Sequence, residues 1–153
     1  MAKTHNYKTS LQWIGNLGSG TSGYRDYSRN HVITSVNKHA IEASSDPAFR
    51  GDVTRYNPEE LLVASLSSCH MLWYLHLCAD AGIIVTEYTD EAEGKMIEDD
   101  NGGHFTEVVL KPTVSISDAT KSNLAQELHH KAHQLCFISN SVNFEVKIES
   151  EVK

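Results

Sequence analysis

Hydrophobic and polar residues alternate in several segments of the chain, which is the pattern of half-buried β-strands. Leu11 and Trp13 lie two residues apart in the first of these segments, and Phe144, Val146 and Ile148 continue the alternation in the last. Turn-forming Asp, Asn and Gly residues are concentrated between the two longest segments. The segments predicted to be strands are 8–14, 32–36, 40–43, 83–97, 104–116 and 143–152.

A long apolar segment between the third and fourth of these strands has both ends marked as those of a helix. Asn57 suits the N-cap, Pro58 the first helical position and Glu60 the third, as in a capping box. Gly82 suits the C-terminal stop. Because the residues between these ends are apolar on most sides, the sequence predicts a central, buried helix.

A second helix is predicted after a cap at Ser117 or Asp118. Its apolar residues recur at helical spacing and are Leu124, Leu128, Ala132 and Leu135. The elements therefore follow in the order strands, helix, strands, helix and strand. That order predicts an α+β fold, and we expect residues 1–153 to form a single domain.

The composition is typical of a soluble globular protein and argues against two classes of partner. Of the 153 residues, 40% are hydrophobic and 22% are charged. A net charge of -7 argues against a nucleic-acid partner, because phosphate binding needs a clustered basic surface. The most apolar run, 61–79, contains serines and histidines and is too polar for a lipid-facing span, so no membrane association is expected.

The cysteine content indicates a reducing compartment. Three cysteines in a chain of this length do not form a secreted disulfide framework. The N-terminal residues are polar and include no apolar stretch typical of a signal peptide. We therefore expect a cytoplasmic protein whose thiols are reduced at rest.

Cys69 lies within the first predicted helix and is the main candidate for chemistry. A buried cysteine in an apolar helix is usually an inert core residue, whereas a reactive thiol needs a nearby cation that lowers its pKa. The residues alone leave both interpretations open. The arginines that could supply the cation, each also typical of a solvated surface position, are Arg25, Arg29, Arg50 and Arg55.

Glu59 precedes Cys69 by ten residues on the same predicted helix. At 1.5 Å per residue the two positions are about 15 Å apart, so Glu59 cannot reach the thiol of its own chain. An antiparallel helix of a second subunit would bring Glu59 of one chain near Cys69 of the other. If both residues serve one site, we expect a homodimer with shared sites. Glu59 could also simply stabilise the helix dipole.

The other cysteines and two histidines allow further interpretations. Cys78 lies half a helical turn around from Cys69 and is expected in the core. Cys136 follows the second helix and, taken alone, is typical of a structural residue. His129 and His133 have the spacing to share a helical face with Cys136 and hold a metal ion. Because no CxxC or HExxH motif accompanies them and His129 is expected on a helix with an exposed face, we predict no metal site.

Three segments of the chain resemble those of a known family. The first is Asn57-Pro58-Glu59-Glu60-Leu61, followed by Cys69 and by Gly82 at the end of the helix. The second is Ala132-His133-Gln134-Leu135-Cys136, followed by Ser139, and the third is the opening Trp13-Ile14-Gly15 with residues 18–21. In these motifs, and in the order of its elements, the chain resembles the family of osmotically inducible protein C and the organic hydroperoxide resistance proteins.

This resemblance implies a homodimer of intertwined α+β subunits with two long central helices at the interface. It also implies that Cys69 is the peroxidatic cysteine and Cys136 the resolving cysteine of a hydroperoxide reductase. The Cys69 thiolate would become a sulfenic acid and release an alcohol, and Cys136 would then close a disulfide. A dithiol of the dihydrolipoyl type would reduce that disulfide. No metal, haem or flavin cofactor is implied.

The resemblance further implies a glutamate and an arginine beside the thiolate. Glu59 matches the glutamate. Arg50 resembles the arginine of the osmotically inducible branch and Arg25 that of the hydroperoxide-resistance branch, and we favour Arg50. Phe137 departs from the family, in which a proline commonly follows the second cysteine.

Bulky residues after Cys69 are a further departure from the family pattern. They predict a pocket, lined by Trp73, Tyr74 and Phe49, that favours an apolar alkyl group over hydrogen peroxide. The alternative function is that of a non-catalytic protein on the same fold, which would bind an apolar ligand or sense redox state through its cysteines.

Overall fold

A computed structural model describes all residues from Met1 to Lys153. Nine strands and two α-helices confirm the predicted α+β class. By its internal contacts the chain divides into two compact units, Met1–Leu61 and Leu62–Lys153. The single domain over residues 1–153 stays a prediction.

The Met1–Leu61 unit contains a three-stranded antiparallel sheet with its second strand in the centre. Asn37, in the turn after that strand, has a φ of 61°, which asparagine tolerates better than most residues. A short 3-10 helix, Pro47–Phe49, follows the sheet. The strands are β1 (Ser10–Trp13), β2 (His31–Thr34) and β3 (Ile41–Ala43), close to the predicted segments.

The long helix α1 spans Pro58–Asp80, and local hydrogen bonds define both of its ends. Asn57 Oδ1 accepts a hydrogen bond of 2.8 Å from the N–H of Glu60, which confirms the predicted N-cap. At the other end Gly82 has a φ of 68°, and the N–H of Ile83 donates to the carbonyl of Cys78 at 2.8 Å. This is a Schellman motif, with the glycine at the position that requires a left-handed conformation.

The expected burial of α1 on most sides is wrong for the single chain. Only 22% of its most apolar stretch is buried. By length and composition alone the helix could cross a bilayer, but core helices of soluble proteins meet the same criteria. The four buried residues form one stripe, Leu66, His70, Tyr74 and Cys78. The exposed side includes Ala64, Ser68, Leu72 and His76. The apolar composition of a helix therefore does not by itself determine how much of the helix is buried within its own chain.

The predicted strands after α1 occur, but each long segment is divided in two. The carboxylate of Asp90 accepts hydrogen bonds from the N–H of Lys111 at 2.7 Å and from the hydroxyl of Ser67. These contacts lie where the hairpin passes from one sheet to the other, because Asp90 ends β4 and Lys111 lies between β6 and β7. The resulting strands are β4 (Val85–Asp90), β5 (Glu93–Asp99), β6 (Gly102–Leu110), β7 (Pro112–Ile116), β8 (Glu145–Ile148) and β9 (Glu151–Val152).

These six strands form two three-stranded sheets in the Leu62–Lys153 unit, in the orders β4-β7-β9 and β5-β6-β8. The hairpin pairs are antiparallel, whereas β8 and β9 add in parallel to β6 and β7. The predicted last strand, 143–152, is thus shared between both sheets.

The second helix begins later than predicted. Asp118 accepts a hydrogen bond from the amide of Thr120 and caps a short 3-10 helix, and α2 then spans Ser122–Leu135. Its buried residues are Ala125, His129 and Ala132. Leu124, predicted on the apolar stripe, is 42% exposed, and His129 takes a buried place next to α1 instead. One hydrophobic cluster, which includes Tyr74, Cys78, Val114, Ala125 and Ala132, joins α2 to α1 and to the first of the two sheets.

Candidate active site

The structure brings Cys69 and Cys136 together. Cys69 lies in the middle of α1, and Cys136 is the residue that ends α2. Burial, together with the neighbouring Cys69 thiol, raises the pKa of the Cys136 thiol to about 11. Both cysteines are free thiols. Neighbouring thiols can form a disulfide where the two Cα atoms lie within about 7 Å of each other.

The two thiols have different environments. Cys69 is half-buried and therefore accessible to a small molecule, whereas Cys136 is only 1% exposed. The N–H of Ser139 donates a hydrogen bond of 3.4 Å to Cys136 Sγ, and the N–H of Ile138 also interacts with this sulfur. These two N–H groups oppose the increase in the Cys136 pKa that burial causes. The arrangement pairs one accessible thiol with one enclosed thiol.

An aromatic pair lies beside the thiols. Trp73 follows Cys69 by one helical turn, Phe137 follows Cys136 directly, and their rings meet edge to face with centroids 5.4 Å apart. Phe137 is 64% exposed. The proposed lining by Tyr74 is wrong, because that side chain is fully buried and its hydroxyl donates to the carbonyl of Ala125 at 3.0 Å. Phe49 lies in the Met1–Leu61 unit, at the end of its 3-10 helix.

Sequence reasoning missed a buried pair of histidines. His70 Nε2 and His129 Nδ1 are 3.0 Å apart, and the two residues are 1% and 2% exposed. The ring of Tyr74 stacks on His129 with centroids 3.8 Å apart. Burial lowers the pKa of His70 to about 4 and that of His129 to about 3, so both are neutral near pH 7. The four-residue spacing of Leu66, His70 and Tyr74 could have indicated that His70 lies on the buried side of α1.

The metal alternative finds no support in this geometry. No group of three or more His, Cys, Asp or Glu side chains is arranged to hold a metal ion. Among the three suggested ligands, His129 is paired with His70, and His133 Nδ1 lies 3.4 Å from Ser139 Oγ. Cys136 receives the N–H of Ser139. Each of the three side chains thus has at least one contact with a protein group.

Glu59 is in the first turn of α1, and one of its carboxylate oxygens is buried with no hydrogen-bond partner. Because α1 is continuous to Asp80, the ten-residue separation places Glu59 about 15 Å along the helix axis from Cys69. The structure therefore does not bring these two residues together within one chain.

The two candidate arginines lie in the Met1–Leu61 unit and are exposed there. Arg50 ends the 3-10 helix with a φ of 64°, a left-handed conformation that is uncommon for a residue with a side chain. The other arginines of this unit are engaged. Arg29 packs over the rings of Tyr24 and Tyr27, and Arg55 pairs with Glu42 and Asp52. Arg25 and Arg50 thus stay the two candidate arginines, as predicted from the sequence.

Comparisons with known proteins agree on the family. The sequence profile described as "OsmC-like protein" matches residues 51–151. An OsmC-like protein of unknown function from Vibrio cholerae is similar over 98% of this chain and 100% of its own, with 34% identity and a TM-score of 0.82. No curated protein matched the chain.

More distant structures share the fold. An organic hydroperoxide resistance protein from Elizabethkingia anophelis matches with 22% identity and a TM-score of 0.67, over 99% of both chains. An OsmC-like protein from Mycoplasma pneumoniae matches with 12% identity and a TM-score of 0.75, over 98% of this chain and 99% of its own. At these identities the likeness concerns the fold alone.

Proposed function

Because the chain belongs to the OsmC-like family, we propose that it is a thiol-dependent peroxidase that reduces organic hydroperoxides. The observation that carries this proposal is the proximity of an accessible Cys69 to an enclosed Cys136. The name of the organic hydroperoxide resistance protein that shares the fold adds support for the substrate class.

The different environments of the two thiols support different roles. Cys69 is the proposed peroxidatic residue, because a peroxide can approach it from solvent. Its thiolate attacks one oxygen of the hydroperoxide, the O–O bond breaks, and the alcohol leaves with a proton. The Cys69 sulfenic acid that remains faces Cys136, the proposed resolving residue. Closure of the disulfide releases water, and an external dithiol then restores both thiols.

A homodimer is part of the proposal, because Glu59 and Cys69 of one chain are too far apart to act together. The exposed side of α1 is partly apolar and offers a surface for a second copy of the chain, with Leu72 60% exposed on it. In such a dimer Glu59 and an arginine complete the site, where the arginine stabilises the thiolate and Glu59 orients it. Arg50 is the first candidate for this role and Arg25 the second.

The aromatic pair supports a preference for apolar substrates. Trp73 and Phe137 lie next to the two cysteines, and an alkyl or aryl group packed on them would leave water, whereas hydrogen peroxide gains nothing from that contact. A dihydrolipoyl-type dithiol is the proposed reductant. The proposed setting is the cytoplasm, where thiols stay reduced between catalytic cycles.

This function is tested by steady-state reduction of cumene hydroperoxide with dihydrolipoamide as the reductant. Hydrogen peroxide is the second substrate, with which the rate is compared. Cys69→Ser should abolish turnover, and Cys136→Ser should allow one sulfenic acid per site but no turnover. Cys78→Ser is the matched control, because this buried cysteine lies on another side of α1. Full activity of Cys69→Ser would refute the proposal. Slow, stoichiometric oxidation of the native protein without turnover would favour the sensing or ligand-binding alternative.

A further inference from the structure

Cys136 begins a turn in which later backbone N–H groups interact with the Cys136 sulfur. The N–H of Ser139 donates to Cys136 Sγ at 3.4 Å, and the N–H of Ile138 interacts with the same atom. Backbone N–H groups that converge on one acceptor form a concavity that stabilises an anion. A thiolate accepts such hydrogen bonds more strongly than a thiol, because it is charged. The turn therefore favours the deprotonated form of Cys136, which is the form that attacks.

His133 holds this turn from the last part of α2. Its Nδ1 lies 3.4 Å from Ser139 Oγ, so the imidazole contacts the same residue whose N–H reaches the sulfur. Other hydrogen bonds hold the remainder of the turn, among them one of 3.0 Å from the N–H of Asn140 to the carbonyl of Cys136. The contact from His133 differs from these, because it joins α2 to the side chain of Ser139.

We propose that His133 is a positioning residue for closure of the disulfide between Cys69 and Cys136. It holds Ser139 so that the N–H of this residue meets the Cys136 sulfur. This inference rests on the proposed peroxidase function and concerns its second step. Because the hydrogen bond of His133 is to Ser139, oxidation of Cys69 itself proceeds without it.

The chemistry of closure shows where such positioning acts. The S–O bond of the Cys69 sulfenic acid breaks as the S–S bond forms, and the hydroxide leaves as water with the proton of Cys136. The Cys136 sulfur is oxidised as the Cys69 sulfur is reduced, so no further reagent is needed. Deprotonation of Cys136 is difficult, because burial raises its pKa to about 11. Stabilisation of its thiolate by nearby N–H groups therefore speeds this step.

Closure can be followed directly by stopped-flow tryptophan fluorescence, because Trp73 packs on Phe137 next to Cys136. After one equivalent of cumene hydroperoxide, His133→Ala should close the disulfide about fivefold more slowly, the effect of losing one hydrogen bond. The rate at which a sulfenic-acid probe labels Cys69 in a Cys136→Ser background should be unchanged. His133→Asn, whose amide can reach the same hydroxyl, should restore most of the rate.

Two further variants separate positioning from a general loss of structure. Ser139→Ala should slow closure as His133→Ala does, and the double variant should be no slower than either single one, because both remove the same contact. His130→Ala is the matched control. This histidine is the exposed neighbour on α2 and contacts Gln134 at 3.2 Å rather than Ser139. Its replacement should leave the closure rate unchanged.

A second oxidant keeps this test independent of the proposed function. Diamide converts a neighbouring dithiol to a disulfide without a peroxide, so closure is measured in the same variants even if hydroperoxides fail to oxidise Cys69. Failure with peroxide alone would refute the peroxidase. An unchanged closure rate of His133→Ala with both oxidants would refute the role of His133, as would equal slowing in His130→Ala.

Discussion

His70 and His129 share a hydrogen bond of 3.0 Å in the interior of the protein, between Nε2 of the first and Nδ1 of the second. Their rings are nearly parallel, and the remaining nitrogens, His70 Nδ1 and His129 Nε2, are buried without partners. His70 lies on α1 next to Cys69, and His129 lies on α2, which ends at Cys136. The hydrogen bond thus joins the two helices that carry the thiols.

This pair predicts a loss of stability in mild acid. Burial lowers the pKa of His70 from 6.5 to about 4 and that of His129 from 6.5 to about 3, so the unfolded chain binds protons that the folded chain does not. The free energy of unfolding should therefore be highest above pH 6.5 and fall as the pH decreases towards 4. Each unit of pKa shift corresponds to about 1.4 kcal/mol. Urea unfolding between pH 7.5 and 4.5 measures this dependence.

Replacement of both buried histidines by leucine should flatten that dependence. His76→Gln is the control, because His76 is an exposed histidine whose contact is with Asp80 on the same helix. The control should keep the pH dependence of the native protein. An equally steep decrease in the double leucine variant would show that other groups cause it.

Tyr74 is fully buried and Tyr88 is partly buried, and the two should respond differently to loss of their hydroxyl groups. Tyr74 donates to the carbonyl of Ala125 at 3.0 Å, so Tyr74→Phe should lower the free energy of unfolding by about 1 kcal/mol. The hydroxyl of Tyr88 is buried with no partner, so Tyr88→Phe should be neutral or stabilising. Thermal unfolding of the two variants in parallel makes the comparison. A larger loss in Tyr88→Phe would contradict it.

Gly82 should tolerate a side chain poorly, although there is room for one. Its φ of 68° is left-handed, and an added Cβ would meet only Lys121 Nζ, at 3.8 Å. Gly82→Ala should therefore cost about 1 kcal/mol of stability through backbone strain rather than through a clash. Gly82→Asn should cost less, because asparagine adopts this conformation more readily. Equal melting temperatures of the native protein and Gly82→Ala would argue against strain at this position.

The exposed side of α1 predicts the effect of a charge on assembly. Leu72 is 60% exposed in the single chain, so Leu72→Glu should fold, but it should weaken the proposed dimer by placing a charge in an apolar interface. Sedimentation velocity should show a dimer for the native protein and a monomer for the variant. A native protein that sediments as a monomer at all concentrations would remove the basis for sites shared between subunits.

The features that could be predicted from the sequence depend on residues that are close to one another along the chain. Asn57, Pro58 and Gly82 define the ends of α1 through contacts within a few positions, so their residue types were sufficient. The division of the long hairpin was not predictable in this way. At the division, Asp90 accepts hydrogen bonds from Ser67 and Lys111, which are 23 and 21 residues away in the chain.

By itself, the sequence determined the α+β class, the position of α1, and Cys69 with Cys136 as candidates, through local propensity and family motifs. Only the tertiary structure decided that these two thiols are neighbours, that Cys136 is the enclosed one, and that His70 pairs with His129. The reason is physical: a residue type specifies which bonds a side chain can make. The packing of one helix against another decides which partners are near and how far water is excluded, and therefore the pKa of each group.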